Sequence, residues 1–254
     1  MLDLIVEHCQ FLLNNFPEAQ SSKSYLDSRL TQDSQNNWGF GYFPNLQNIS
    51  ALTDLIEEDQ LIKEGLLNSW TIEDSLMPRK IVKDFFEDHP LILPQRDTYG
   101  KVVALIGRTL LDEKSQKEKK VIKYKNTSFK KGHYLFGLYE NKKAILDKGY
   151  VYLVEGQLDV IKSSQIGLHN IVGLGSSSLT FYQLSVISRY TDNIFLLLDN
   201  DEAGQQGREQ IIKKYGKLAN ICNFYLPEIY KDIDEYITCE NIKDYSDLVL
   251  MSKS

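Results

Sequence analysis

Apolar residues recur at helical spacing from the start of the chain. Leu4, Ile5, Cys9, Leu12 and Leu13 share one face of a 3.6-residue period. Pro17-Glu18-Ala19 suits the first turn of a second helix, where the N–H that proline lacks has no intrahelical partner anyway. Residues 1–36 therefore read as helical. Trp38-Gly39-Phe40-Gly41-Tyr42, followed by Pro44, predicts a turn and a short strand. Residues 50–63 return to a helical pattern. Pro90-Leu91-Ile92-Leu93-Pro94 and Val102-Val103-Ala104-Leu105-Ile106 are apolar runs of strand length, joined by the turn Asp97-Thr98-Tyr99-Gly100. Residues 112–120 predict a charged loop or helix extension.

The pattern changes at residue 150. Tyr150 to Val154 is a short apolar strand, and a helix runs from Val160 towards Gly167. Asn170 to Leu174 is a second strand, closed by Gly175-Ser176-Ser177-Ser178. Residues 180–190 are helical, and Asn193 to Leu198 has the continuous apolarity of a strand buried on both faces. Residues 202–215 are helical, and Ile221 to Tyr225 is a further strand. Strands alternating with helices predict a mostly parallel α/β sheet. The expected fold class is α/β: a mixed α+β N-terminal lobe over residues 1–145, a parallel-sheet, Rossmann-like domain over 146–240, and a tail over 241–254.

Composition narrows the class. The chain has 254 residues, 42% hydrophobic and 25% charged, with a net charge of −6. These values exclude disordered and fibrous classes. The cysteines, Cys9, Cys222 and Cys239, contain no C-x-x-C pair, and the four histidines sit far apart, so no zinc site is expected within the chain. The scattered, odd count fits a reducing compartment. The start MLDLIVEHCQFLL lacks a basic region and reads as a helix, not a signal peptide. No apolar run approaches the roughly 18 residues a membrane span needs. The expectation is a cytoplasmic protein with no membrane contact.

Charge is unevenly placed. Residues 94–143 hold 13 Lys+Arg against 5 Asp+Glu, whereas 155–202 hold 2 against 6. A segment suited to a polyanion thus precedes one suited to a cation. The acidic residues sit at predicted strand ends, where α/β sheets bind ligands. Glu155 follows the strand YVYLV, and Asp159 lies in the first turn of the next helix. Asp199 ends the strand IFLLL, and Asp201 follows two residues later, on the same side of extended chain. Asp232 and Asp234 repeat that spacing. A lone D-x-D is usually a turn or a helix cap; three acidic clusters on one sheet edge would repel one another without a hard cation such as Mg²⁺.

These residues carry a family resemblance. VEGQLDVIKSSQIGLHNIVGLGSSSLT, then FLLLDNDEAGQQG, then KDIDEYI resembles the Toprim domain, with Asn200 where the family usually has Gly. Upstream, LILPQRDTYGKVVALIGRTL and KYKNTSFKKGHYLFGLYE resemble segments of the RNA-polymerase core of bacterial DnaG-type primases, and NNWGFGYFP resembles the aromatic stretch before them. The spacer ahead of FKKG is shorter than in the family pattern.

The resemblance implies template-directed synthesis of short RNA primers from NTPs on single-stranded DNA, by nucleotidyl transfer dependent on Mg²⁺, with Mn²⁺ as a substitute. It implies Asp199, Asp201, Asp232 and Asp234 as metal ligands and Asp159 as a supporting group. Glu155 would be an acid/base or metal-organising residue. Arg96, Arg108, Lys123 and Lys131 match its basic positions and suit phosphates of nucleotide and template. Family members usually carry a zinc-binding module before this core and a helicase-interacting module after it. The expected partners are therefore a replicative helicase or a separate zinc-binding accessory protein, in a bacterial, phage or plasmid setting. Two other readings share the carboxylates, a Toprim phosphodiesterase and a non-catalytic nucleic-acid-binding subunit. The first has no need of the basic segment, and the second none of the clustered negative charge.

Overall fold

The computed structural model describes residues 1–72 and 79–253. The chain forms two units, Met1–Gln95 with Val102–Phe129, and Arg96–Lys101 with Lys130–Ser254.

The first unit opens with three helices, α1 (Leu2–Asn15), α2 (Gln20–Asp27) and α3 (Gln32–Trp38). Ile5, Val6, Cys9, Leu12 and Leu13 are the buried stripe of α1, as their spacing requires. Thr31 caps α3, its side chain accepting from the Ser34 N–H, and Gly39 ends it in the left-handed region at φ 76°. Strand β1 (Gly41–Tyr42) then passes close under α1. A Cβ on Gly41 would stand 2.7 Å from the Cys9 Cβ, so only glycine fits. The helix expected over 50–63 is two short ones, α4 (Ser50–Thr53) and α5 (Glu58–Lys63). The periodicity hid the break because Leu52, Ile56 and Leu61 are all fully buried across it.

Strands β2 (Leu67–Ile72) and β3 (Arg79–Asp84) pair antiparallel. No clear apolar alternation announces this hairpin, and its Trp70 is exposed. Strands β4 (Leu91–Arg96), β5 (Val102–Arg108) and, after α6 (Glu113–Lys119), β6 (Tyr124–Asn126) complete a four-stranded sheet in the order β1-β4-β5-β6. The Asp97–Gly100 turn is closed by Gly100 N–H to Asp97 O at 3.1 Å. A core that includes Ile5, Cys9, Phe43, Leu61, Phe86, Ile92 and Leu105 holds this unit together.

The second unit runs α7 (Leu138–Lys148), β7 (Val151–Val154), α8 (Gln157–Gln165), β8 (Ile171–Gly173), α9 (Phe181–Ile187), β9 (Asn193–Leu196), α10 (Glu202–Tyr215), β10 (Asn220–Tyr225), α11 (Ile233–Cys239) and β11 (Met251–Lys253). The sheet order is β11-β10-β9-β7-β8. Strands β10, β9, β7 and β8 are parallel neighbours, and β11, from the stretch expected as a tail, adds an antiparallel edge. Side chains alternate across the sheet. Val151, Leu153, Ile194 and Leu196 join the core containing Leu184 and Ile211. Tyr152, Phe195 and Phe224 pack together on the other face, with ring centroids 4.6–5.6 Å apart. The fold class expected from the sequence is the one observed. No helix among the described residues is long and apolar enough to cross a membrane.

Candidate carboxylate active site

Parallel strands all end at one edge of the sheet, and the chain leaves that edge through turns bearing the acidic residues. Glu155 follows β7, and Gly156 N-caps α8. Its N–H donates to Asp159 Oδ2 at 2.9 Å. Asp159 Oδ1 accepts from the Asp234 N–H at 3.4 Å, so this buried carboxylate ties the start of α8 to the start of α11. Asp199 follows β9, and its N–H donates to Glu155 Oε1 at 3.3 Å. Asp201 N-caps α10, accepting from the Gly204 N–H at 2.9 Å, and Asp232 N-caps α11, accepting from the Glu235 N–H at 2.8 Å. Asp201 and Asp232 are therefore helix caps as well as carboxylates of the crevice. Lys231 reaches between the D-N-D carboxylates, 3.6 Å from Asp199 Oδ2 and 3.9 Å from Asp201 Oδ2.

Two glycines let α10 approach this edge. A Cβ on Gly204 would stand 2.1 Å from the Asp199 carbonyl oxygen, and one on Gly207 would stand 2.3 Å from the Ser177 carbonyl oxygen. Asn200, where the family pattern usually has glycine, ties the loop to the chain before α11. Its Nδ2 donates to Tyr230 O at 2.9 Å and its N–H to Lys231 O at 2.7 Å.

The electrostatics follow from this crowding. Burial pushes Glu155 up to about 7, reinforced by Asp199 and Asp201. Burial also pushes Asp159 up to about 8, with Asp232, Asp199 and Asp234 adding to the effect. Asp199 is raised by burial and then by Asp232. Burial works against the Lys231 ammonium, but Asp199, Asp201 and Asp232 outweigh it and keep its pKa above the ordinary value.

The donor set is all oxygen, which suits a hard divalent cation. Among the described residues no three His, Cys, Asp or Glu side chains close on one metal-sized point. A hard cation at this edge would keep water and take its other ligands from a phosphate, as Mg²⁺ usually does. The edge does not offer an all-protein cage.

The basic candidates fall in both units. In the second, Arg96 Nε pairs with Glu140 Oε1 at 3.2 Å, and the Lys131 chain lies over Gly175, where a Cβ would stand 2.6 Å from Lys131 Cε. Gly175 N–H donates to Glu155 O at 2.9 Å, so Lys131 stands beside the carboxylate edge. In the first, Arg108 is buried, its guanidinium carbon 5.1 Å from the Tyr25 ring centroid and 5.0 Å from that of Tyr124. Its Nε and Nη1 are buried without hydrogen-bond partners. Lys123 stands 5.9 Å from the Tyr124 centroid.

Sequence reasoning missed Arg208. It is 2% exposed, and its Nη1 donates to Asp199 O at 2.9 Å while Nη2 donates to Leu198 O. Its guanidinium carbon lies 4.7 Å from the Tyr225 ring centroid. The available signal was spacing: Asp201, Gly204 and Arg208 stand at i, i+3 and i+7, on one helical face.

Known proteins resemble this arrangement. The family model for the N-terminal domain of the DNA primase catalytic core matches residues 10–142, and a Toprim-like model matches 152–237. A DNA primase of Aquifex aeolicus is 30% identical over 236 residues, covering 90% of this chain and 44% of the relative. A DNA primase of Synechococcus elongatus is 32% identical over 248 residues, covering 93% and 34%. The chain thus spans less than half the length of these relatives. Among solved structures, the zinc-binding and RNA-polymerase domains of the Aquifex aeolicus primase superpose with a TM-score of 0.74 at 27% identity, covering 98% of this chain and 60% of that one. A DnaG primase catalytic domain bound to ssDNA gives 0.74 at 24% identity, covering 94% and 75%, a likeness of fold.

Proposed function

The chain belongs to the DNA primase catalytic-core family, and on that premise we propose that it synthesises short RNA primers on single-stranded DNA by metal-dependent nucleotidyl transfer. The observation that carries the reading is the D-N-D loop. Asp199 and Asp201 both reach the Lys231 ammonium within 4 Å, at a parallel-sheet edge that also holds Glu155 and Asp159.

Asp199 and Asp201, with Asp232 and Asp234, would hold Mg²⁺ or Mn²⁺. Such a cation, when bound, neutralises the triphosphate and orients the attacking and leaving oxygens. Asp159 positions the others, since both its oxygens accept backbone N–H groups. Glu155 orients the Asp199 backbone, its Oε1 accepting the Asp199 N–H, and would serve as an acid/base or metal-organising group. Lys131 suits a phosphate oxygen at the Gly175 turn as a point charge. Arg108 and Lys123, with Tyr25 and Tyr124, suit the template backbone. Arg96, paired with Glu140, holds the Arg96–Lys101 turn on α7 and would act through that turn. A replicative helicase or a separate zinc-binding protein, in the cytosol, would be its partner.

The test is a priming assay with single-stranded DNA, NTPs and Mg²⁺ or Mn²⁺. Labelled short RNA is expected, and Asp199→Ala should abolish it. Degradation of the template without synthesis would favour a phosphodiesterase instead.

A further inference from the structure

Beside the carboxylate edge three aromatic rings lie open to solvent. Phe181 is 64% exposed and Tyr182 49% exposed at the first turn of α9. The His133 ring, exposed as well, stacks on Tyr182 with centroids 4.1 Å apart and planes 13° from parallel. Scattered exposed aromatics are ordinary on a protein surface. The stacked His133–Tyr182 pair is a local apolar patch with a defined plane.

The patch is built on a braced scaffold. Thr180 Oγ1 donates to Gly132 O at 2.6 Å, and Gln183 Nε2 donates to Tyr134 O at 2.8 Å. Gly132 is pressed against Thr180, where a Cβ would stand 2.8 Å from Thr180 Cγ2. The Lys131–His133 turn is therefore fixed to the start of α9 on both sides of His133. That turn also carries charge. Lys130 and Lys131 precede the ring pair, and neither 130–134 nor 175–187 contains an acidic residue. Lys131 crosses Gly175, whose N–H donates to the Glu155 carbonyl. Carboxylate edge, phosphate-suited lysine and aromatic pair thus follow one another along a single surface of the second unit.

We infer that His133 and Tyr182 form a stacking platform for an unpaired base of single-stranded nucleic acid whose backbone is held by Lys130 and Lys131. A π face with flanking cations accepts any base, which suits a strand of arbitrary sequence. The platform is open, whereas small-molecule sites enclose most of the ligand; a continuous strand fits it better than a free nucleotide. The inference deepens the priming reading by naming where the strand lies, and it rests on that reading only for the role of the bound strand.

The test is equilibrium binding of the full chain to an oligothymidylate carrying one 2-aminopurine, followed by anisotropy and 2-aminopurine emission across a salt series. Binding should quench the emission. Tyr182→Ala and His133→Ala should each weaken binding about 10-fold and relieve quenching, with the slope of log K against log salt unchanged. Lys131→Ala should flatten that slope by about 0.7, the value for one phosphate on a single strand, and leave the quenching in place. Tyr182→Trp should retain binding, which separates loss of stacking from loss of fold. Wild-type affinity and quenching in Tyr182→Ala would overturn the proposal. So would quenching of a free 2-aminopurine nucleoside triphosphate with no quenching of the oligonucleotide. The assay does not depend on synthesis. A protein that stacks the base yet makes no RNA would refute the priming reading and leave the platform standing.

Discussion

Replacing Arg208 asks whether the carboxylate centre is held by its own acids or by the buried cation behind them. The guanidinium donates to two carbonyl oxygens, Leu198 O and Asp199 O, on the peptide units either side of Asp199. A hydrogen bond from a charged donor is worth about 1.5–3 kcal/mol. Arg208→Met keeps the side-chain bulk and removes both bonds. Burying an arginine also carries a desolvation cost, which the substitution relieves, so the net loss should be near 3 kcal/mol. That is within the roughly 5–15 kcal/mol available to a folded protein, and the variant should still fold. Arg208→Lys retains the charge but not the planar fork, and should lose about half as much. The functional loss should exceed the loss of stability, because a shift of about 1 Å in a reacting group costs on the order of 100-fold in rate. Urea unfolding measures the first. Hydrogen exchange over residues 197–205 and the Mn²⁺ concentration for half-maximal synthesis measure the second. Faster exchange confined to that loop and a raised Mn²⁺ requirement are expected for both variants. A folded Arg208→Met with wild-type exchange and wild-type Mn²⁺ dependence would show that the carboxylates hold the loop without the buried guanidinium.

Other outcomes follow from the same geometry. Asp84 is buried with Oδ1 unpartnered, and burial, reinforced by Glu87, pushes it up to about 6. The folded state therefore holds its proton more tightly than the unfolded chain. Its contribution is most favourable below about pH 4 and is lost as pH rises to about 6, by up to about 3 kcal/mol. Asp84→Asn should flatten that part of the urea-midpoint profile and raise stability at neutral pH; an unchanged profile counts against it. Gly207→Ala places a methyl group 2.3 Å from the Ser177 carbonyl oxygen and should cost about 1–3 kcal/mol by thermal melt. Asp199→Asn should abolish synthesis yet raise metal-free stability, since it removes a charge that burial, Asp232 and Asp201 oppose more than Lys231 favours. Equal or lower stability would show that the crowding is not strained.

The glycines illustrate how function entered the local sequence. Gly204 and Gly207 read as helix-weakening residues in a helix that the pattern otherwise supports. Their value appears only when Asp199 and Ser177 arrive from other strands. Asn200 is a parallel case. It stands where the family pattern usually has glycine, and its amide holds the segment that ends in Lys231.

Already legible in the sequence were the four parallel strands of the second unit, the helices between them, and the six carboxylates at their edge. Those features depend on apolar runs and on residues a few positions apart, so short-range order encodes them. It left the β2–β3 hairpin and β11 unannounced, because neither carries a long apolar run. Which charges meet is set by the fold alone. Lys231 lies between Asp199 and Asp201, Arg208 fixes the carbonyls behind them, Arg108 is buried between Tyr25 and Tyr124, and His133 stacks on a tyrosine 49 positions away. Each pairing is set by how strands and helices pack. Coulomb energies and stacking depend on distances in space, which spacing along the chain does not carry.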